Sequence, residues 1–223
     1  MKKLLLGTFA LVMFSNTALA GFLIDPYLGF RFNGKIEEEA NAGDLDEFSY
    51  SGLAYGARLG YNYLGLMMGM EYGVASGDVE QDTDPGSVVN SGVGKSLDGS
   101  FTNVGVYIGY EMPLLLRFWA TYYFKAKMEV DGEANNFNDL NPNSTFTNTF
   151  NGSGFGLGVG YTGLPFLSFN LEYKVITYDE VESGDASVGT VNLPSSATSA
   201  FGAAGEGKAS EILLSVSLPF EFL

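Results

Sequence analysis

The sequence predicts an all-β fold, a closed transmembrane eight-stranded antiparallel up-and-down β-barrel. Three observations predict it. Apolar and polar side chains alternate every second residue in eight segments, the connections between these segments are short and long in turn, and the chain opens on a secretory leader. A strand places alternate side chains on opposite faces, whereas a helix with its period of 3.6 would mix the two sets.

The clearest alternating segment covers residues 115–130. One face carries the apolar set Phe118, Ala120, Tyr122, Phe124, Ala126, Met128 and Val130, and the other carries Arg117, Trp119, Thr121, Tyr123, Lys125 and Lys127. A tilted strand needs about 9–11 residues to cross a bilayer, and this segment exceeds that length. The segment therefore predicts a membrane-spanning strand.

Seven further segments show the same period, and the connections between the eight alternate in length. The segments are residues 24–33, 52–63, 66–75, 103–110, 154–161, 167–175 and 211–222. Short connections are expected at residues 64–65, 112–114 and 162–165, and long polar ones at residues 34–48, 76–100, 131–153 and 179–209. Outer-membrane barrels have short periplasmic turns and long extracellular loops, and an even strand number puts both termini in the periplasm.

The apolar faces are expected to point towards lipid. A soluble ligand-carrying barrel would bury them instead. The interior of an eight-stranded barrel, however, is just wide enough for side chains to fill it, and the bulky apolar faces would overfill it. The polar faces hold most of the strand glycines, so the bulky faces fit outside. A set of aromatic residues near the short turns predicts an interfacial girdle, namely Tyr61, Tyr63, Tyr110, Phe118, Tyr161, Phe166, Phe220 and Phe222.

The N terminus predicts export. Lys2 and Lys3 precede a short apolar run, and Ala18 and Ala20 flank a small-residue cleavage site. We expect residues 1–20 to be a cleaved signal peptide and residues 21–223 to form one barrel domain integral to the bacterial outer membrane. The absence of cysteine excludes a lipid anchor and disulfides, and the net charge of −15 argues against nucleic-acid binding.

The chain resembles the small eight-stranded Gram-negative outer-membrane barrels of the OmpA transmembrane-domain and OmpX type. The resemblance rests on the leader, the eight alternating segments and the aromatic-rich final segment of residues 211–223. It implies insertion by the barrel-assembly machinery, contact with membrane lipid and lipopolysaccharide, and a monomer. The family usually ends in Phe, whereas this sequence ends in Leu223.

Charged residues on the inward faces form the candidate site. We expect an ion-pair network or gate in the lumen, formed by Arg31, Arg58, Glu71, Lys125, Glu172 and Lys174. Isolated charges in a narrow lumen are expensive, so they should pair or be hydrated. The favoured hypothesis is a structural or cell-surface protein with an ion-paired plug, and the alternative is a narrow porin-like channel for small solutes.

Other functions receive less support from the sequence. No enzyme is expected, because barrel enzymes of this type use a histidine and the chain has none. No cofactor or metal site is predicted. The acidic long connections are expected to be solvated, and calcium binding at residues 82–86 is the minor alternative. Trp119 and Tyr123 face the all-glycine side of residues 154–160, where we expect packing rather than a ligand cavity.

Overall fold

The described residues fold into β-strands, and three of the connections between these strands are tight turns. The computed structural model describes residues 21–39, 45–83, 96–133, 145–164, 166–183, 190–192 and 207–222. The strands are β1 (Gly21–Glu39), β2 (Leu45–Tyr63), β3 (Leu66–Thr83), β4 (Ser96–Met112), β5 (Leu116–Glu133), β6 (Thr145–Leu164), β7 (Leu167–Ser183), β8 (Thr190–Asn192), β9 (Gly207–Ser217) and β10 (Phe220–Phe222). Within these ranges no helix is long and apolar enough to cross a membrane. The predicted signal peptide and residues 84–86 of the possible calcium segment lie outside the described residues.

The sheet closes into an eight-stranded antiparallel barrel, as predicted. Strands β1 to β7 pair with their sequence neighbours, and β9 pairs with both β7 and β1. Strand β10 continues β9 after a break at Leu218 and Pro219. It also pairs with β1, so β9 and β10 together form the eighth strand of the barrel. Proline has no backbone N–H to donate, which accounts for the interruption at this position.

Three short connections lie at or near the predicted positions: the first is at residues 64–65 as predicted, and the other two are displaced by one to three residues, between Met112 and Leu116 and between Leu164 and Leu167. Leu64 and Gly65 form a two-residue turn with φ of 53° and 85°, the left-handed geometry that suits a tight hairpin. Leu115 and Phe166, in the other two turns, also have positive φ, at 64° and 63°. We call this the turn end of the barrel and the opposite end the loop end.

The strands extend further towards the loop end than predicted. Strands β1 and β2 remain paired up to Glu39 and Leu45, inside the segment expected to be a loop. Strands β3 to β6 likewise enter the predicted second and third loops, and β8 pairs with β7 inside the fourth. The loop boundaries predicted from the sequence are therefore wrong. The physical reason is that inward side chains stay apolar beyond the membrane belt, as Ile36 and Phe48 show, so the barrel keeps a core to pack.

The outward face is an apolar belt that fits contact with lipid. Large hydrophobic side chains are exposed on all eight strands of the barrel, for example Leu28, Leu53, Met70, Ile108, Leu157, Leu171 and Leu214. All eight aromatic residues of the predicted girdle are exposed near the turn end. Such a continuous apolar surface is far larger than soluble monomers expose.

Strand β5 contains a correction to the predicted faces. The pairing register shifts between Tyr123 and Ala126, where β5 carries one residue more than its neighbours. This β-bulge inverts the alternation, so Ala126 is fully buried while Lys125 is exposed. The inward position expected for Lys125 is wrong, and so is the outward position expected for Ala126, Met128 and Val130.

Candidate functional site in the barrel lumen

Among the described residues, eight charged side chains are buried in the middle of the lumen, and we call them the charge layer. Four are cationic and four are anionic, so their formal charges balance. They are Asp25, Arg31, Arg58, Glu71, Arg117, Glu172, Lys174 and Glu211, each no more than 4% exposed. Alternation along six different strands directs all of them inward.

Arg58 lies at the centre of the charge layer and contacts three carboxylates. Its Nη2 lies 2.7 Å from Oε2 of Glu172, its Nε lies 3.3 Å from Oε2 of Glu71, and its Nη1 lies 3.4 Å from Oδ2 of Asp25. The planar guanidinium carries five donors in a fixed geometry, which suits it to bridging several acids. Residues from β1, β2, β3 and β7 are thereby linked through one side chain.

Further ion pairs extend this centre towards both ends. Arg117 lies 2.8 Å from Asp25 on the turn-end side. Towards the loop end, Lys174 lies 3.6 Å from Glu172 and 3.8 Å from Glu211, and Glu211 lies 3.0 Å from Arg31. The charge layer is therefore one continuous chain in which cations and anions alternate.

Hydroxyl groups hold the carboxylates in place. Thr121 and Tyr27 donate hydrogen bonds to the two oxygens of Glu71, at 3.1 and 3.2 Å. The hydroxyl of Tyr123 donates to Oε1 of Glu172 at 2.5 Å, and that of Tyr50 donates to Glu211 at 3.1 Å. Burying a charge is costly unless it is both paired and hydrogen-bonded, and these carboxylates are both.

Aromatic rings cover the guanidinium groups. The Arg58 guanidinium carbon lies 4.3 Å from the centroid of the Trp119 ring, and that of Arg31 lies 3.9 Å from the centroid of Phe101. A cation over an aromatic face at such distances gains electrostatic stabilisation, most of all where water is excluded. The rings also occupy the space beside the ion pairs.

The inward glycines of β6 are packed against large side chains. A Cβ added at Gly158 would overlap the Trp119 indole, and one at Gly156 would lie 3.1 Å from the Tyr123 ring. The glycines therefore make room for the two aromatics, which are 4% and 0% exposed. The packing of Trp119 and Tyr123 against these glycines agrees with the packing predicted from the sequence.

Apolar side chains fill the lumen on both sides of the charge layer. On the turn-end side lies a small cluster that we call the turn-end layer, made of Leu23, Met67, Tyr107 and Trp119. On the loop-end side lies the larger loop-end layer, whose buried members include Ile36, Phe48, Tyr50, Val79, Phe101, Met128, Val130, Phe150, Ile176 and Tyr178. The lumen thus has a polar middle between two apolar ends.

The structure brings together five of the six predicted site residues. Arg31, Arg58, Glu71, Glu172 and Lys174 belong to the charge layer, whereas the bulge places Lys125 outside. The prediction missed three members, Asp25, Arg117 and Glu211, although alternation had put them on polar faces. All three lie near the starts of the alternating segments rather than in mid-segment. Strands that tilt and stagger in a barrel bring such positions level with mid-strand residues of their neighbours.

The charge layer has no arrangement suited to a metal ion. Within the part of the chain that the structure describes, no group of three or more His, Cys, Asp or Glu residues could hold one. The buried carboxylates instead direct their oxygens at Arg58, Arg117, Lys174 and Arg31.

Comparison with solved structures finds other outer-membrane barrels. Ail, the attachment invasion locus protein of Yersinia pestis, solved with the heparin analogue sucrose octasulfate, has a TM-score of 0.52 and 8% identity, over 90% of this chain and 99% of that chain. Neisserial surface protein A has a TM-score of 0.44 and 13% identity, over 91% and 99%. The outer membrane protease OmpT of Escherichia coli has a TM-score of 0.41 and 9% identity, over 91% and 97%.

Sequence comparison gives the family. No curated protein matches the chain at a significant level. The family described as outer membrane protein beta-barrel domain matches residues 5–220, nearly the whole chain. Together with the closed eight-stranded barrel and its apolar outer belt, this match assigns an integral outer-membrane location. The chain belongs to the outer membrane protein beta-barrel domain family.

Proposed function

We propose that this protein is a structural or cell-surface interaction barrel whose lumen is closed to solutes. The loop end, to which the strands extend furthest, faces the outside of the cell, and the turn end faces the periplasm. The protein then acts through the surface that it displays at the loop end rather than through transport or catalysis.

The observation that carries the proposal is the occupation of the lumen by three successive layers of buried side chains. An ion crossing the barrel would have to separate the pairs around Arg58 and also pass two apolar layers, where a charge finds no compensating partner. The narrow interior of an eight-stranded barrel leaves little space beside side chains as large as Trp119 and Tyr123. Buried, paired charges of this kind fit a plugged lumen.

A non-catalytic role is part of the proposal. The sequence contains no histidine to act as a base, and the buried carboxylates are held by cations and hydroxyl groups rather than directed at an open cleft. A hydrolytic site needs a positioned nucleophile or water within reach of a base. The pairing of Glu71 and Glu172 with Arg58 leaves them poorly suited to that task.

The alternative, a narrow channel, is favoured by one observation in the turn-end half of the lumen. Among the described residues, several buried polar atoms have no hydrogen-bond partner in the protein, including Oδ1 of Asp25, the hydroxyl of Tyr107 and Nε1 of Trp119. Buried polar atoms usually bind water when no protein group serves them. A hydrated segment could form part of a path if the layers above it opened.

Liposome swelling distinguishes the two functions. The purified, refolded chain is reconstituted into liposomes, which are then diluted into isotonic solutions of sugars of increasing size. The proposal predicts no swelling beyond that of protein-free liposomes, even with the smallest sugar. Size-dependent swelling would instead establish the channel, and a general porin in the same preparation serves as the positive control.

A further inference from the structure

The sequence contains two Asn-Gly dipeptides, and the fold holds them in different backbone surroundings. They are Asn33-Gly34 in β1 and Asn151-Gly152 in β6, and a phenylalanine precedes each of them. An asparagine followed by glycine is chemically labile, because glycine has no side chain to hinder attack of its backbone nitrogen on the asparagine amide. Since both sites share the sequence Phe-Asn-Gly, a difference in their reactivity in the barrel comes from the fold.

Asn33 lies in a β-bulge that takes it out of the ladders on both sides of β1. Pairing with β2 passes from Arg31 directly to Gly34. Pairing with β9 passes from Phe32 directly to Lys35. Neither neighbouring strand therefore pairs with Asn33, which is how a bulge accommodates its additional residue. The residue is exposed, and its φ of 53° lies in the left-handed region that asparagine adopts more readily than most residues.

Asn151, in contrast, is held in the ladder on both sides of β6. It pairs in register with Lys127 of β5 and with Glu180 of β7. Gly152 also pairs with both of these strands, and the register shift beside it comes from an additional residue of β7. Attack on an asparagine side chain requires the following peptide unit to rotate. At Asn151 this rotation would break backbone hydrogen bonds of the ladder, whereas Asn33 has no such ladder to break.

We propose that Asn33 is a site of spontaneous deamidation in the folded barrel. The backbone nitrogen of Gly34 attacks Cγ of the Asn33 side chain, and the proton of that nitrogen leaves with the side-chain amide as ammonia. The product is a five-membered succinimide ring, which solvent water opens at either of its two carbonyl groups. One opening gives aspartate, and the other gives isoaspartate, in which the main chain runs through the former side chain.

The surroundings of Asn33 allow the barrel to keep its fold after the reaction. The residue follows Phe32 at the loop-end edge of the apolar belt, where it is exposed. Isoaspartate lengthens the main chain by one carbon atom, and it does so at a residue that neither β2 nor β9 pairs, so the register of β1 is kept. Either product adds a negative charge beside Lys35. Copies of different age therefore display different charge at this edge.

Incubation of the native chain tests the site, with Asn151 as the control within the same molecule. The refolded barrel is kept in detergent micelles at mildly alkaline pH, and mass spectrometry of digested samples follows the deamidated fraction of both Asn-Gly peptides. In the folded barrel Asn33 should react about 10-fold faster than Asn151, because reaction at Asn151 first requires the ladder to open. In the chain unfolded by urea the two rates should become similar, since the local sequences match.

A variant connects the change of charge with this residue. Isoelectric focusing of the native chain should show a more acidic form that appears at the rate of Asn33 conversion. Asn33→Gln should remove that form, because glutamine would have to close a six-membered ring, which forms far more slowly. The heat-dependent gel shift establishes that the variant and the aged native chain are folded barrels.

Three results would overturn the proposal. The first is an equal rate of deamidation at Asn33 and Asn151 in the folded barrel, and the second is an Asn33 that reacts only after unfolding. The third is a ratio of the two rates that stays the same in urea, because the difference would then come from the local sequence and not from the bulge.

Discussion

Glu71 shows how a single buried carboxylate links the lumen together. Its side chain is fully buried on β3, yet it lies 3.3 Å from Arg58 of β2 and 4.0 Å from Lys174 of β7 and accepts a hydrogen bond from Thr121 of β5. Removing one member of such a network leaves the others without compensation. Glu71 therefore has more influence on stability than its size suggests.

We predict that Glu71→Ala lowers the free energy of unfolding by about 3–5 kcal/mol, because Arg58 and Lys174 lose a buried counter-charge. Urea titration of the barrel in lipid vesicles, followed by Trp119 fluorescence, measures the change. Glu129→Ala removes one member of the partly exposed Lys127 pair and should cost no more than about 1 kcal/mol. Equal effects of the two variants would show that burial of the network contributes nothing.

Gly158 provides a second test at the residue scale. Its added Cβ would overlap the indole of Trp119, so Gly158→Ala should destabilise the barrel by about 1–3 kcal/mol through overpacking. Gly207→Ala is the matched control, because among the described residues its Cβ would meet only Ile36, at 3.7 Å. In combination with Trp119→Leu, the cost of Gly158→Ala should shrink. A cost that stayed the same in that background would contradict the packing described for β6.

The residues of the charge layer were largely predictable, because alternation alone decides which side chains face inward. Five of the six predicted residues occur there. Asp25, Arg117 and Glu211 were on the correct faces but could not be matched with partners, since the sequence does not give the stagger between strands. Contacts such as Arg117 with Asp25 join residues far apart in the chain, and only the closed barrel brings them together.

At the scale of the element, β5 is the strand that the sequence describes least well. The apolar and polar residues keep alternating without a break through its second half, with Ala126, Met128 and Val130 still in the apolar phase, so nothing local marks the bulge between Tyr123 and Ala126. The bulge is selected by what lies inside: Met128 and Val130 complete the loop-end layer, whereas two lysines there would be buried without partners. Tertiary packing therefore overrides the regular alternation.

Cysteine labelling tests the inverted phase of β5. Lys125→Cys and Lys127→Cys should react rapidly with a water-soluble maleimide in detergent-solubilised barrels, because both positions face outward. Ala126→Cys should react slowly, because Ala126 is fully buried. Ser168→Cys, at another fully buried inward position, is the control for protection. Rapid labelling at residue 126 with protection at residue 125 would restore the uninterrupted alternation.

The extent of the strands was also difficult to predict at this scale. The segments between the membrane strands are rich in Gly, Ser, Asp and Asn, a composition typical of loops. Their inward positions nevertheless supply Ile36, Phe48, Val79 and Phe150 to one apolar cluster. Each contributes a single side chain to a core assembled from many strands, so no one segment carries a strong signal.

At the scale of the whole molecule, strand number and the orientation of most faces follow from the sequence, and so does closure. Lipid offers no water to unpaired backbone groups, so eight alternating strands must form a closed barrel. The layered filling of the lumen does not follow as directly. It depends on which inward residues share a height, and the structure supplies this through the register of each strand pair.

The central claim is that the three layers close the lumen, and single-channel recording tests it most directly. The refolded native chain in planar bilayers should show no steady open level, and Glu71→Ala should introduce brief openings by admitting water to the charge layer. Glu129→Ala, outside the lumen, should behave like the native chain. A large, steady conductance of the native chain that did not respond to Glu71→Ala would contradict the claim and establish an open pore.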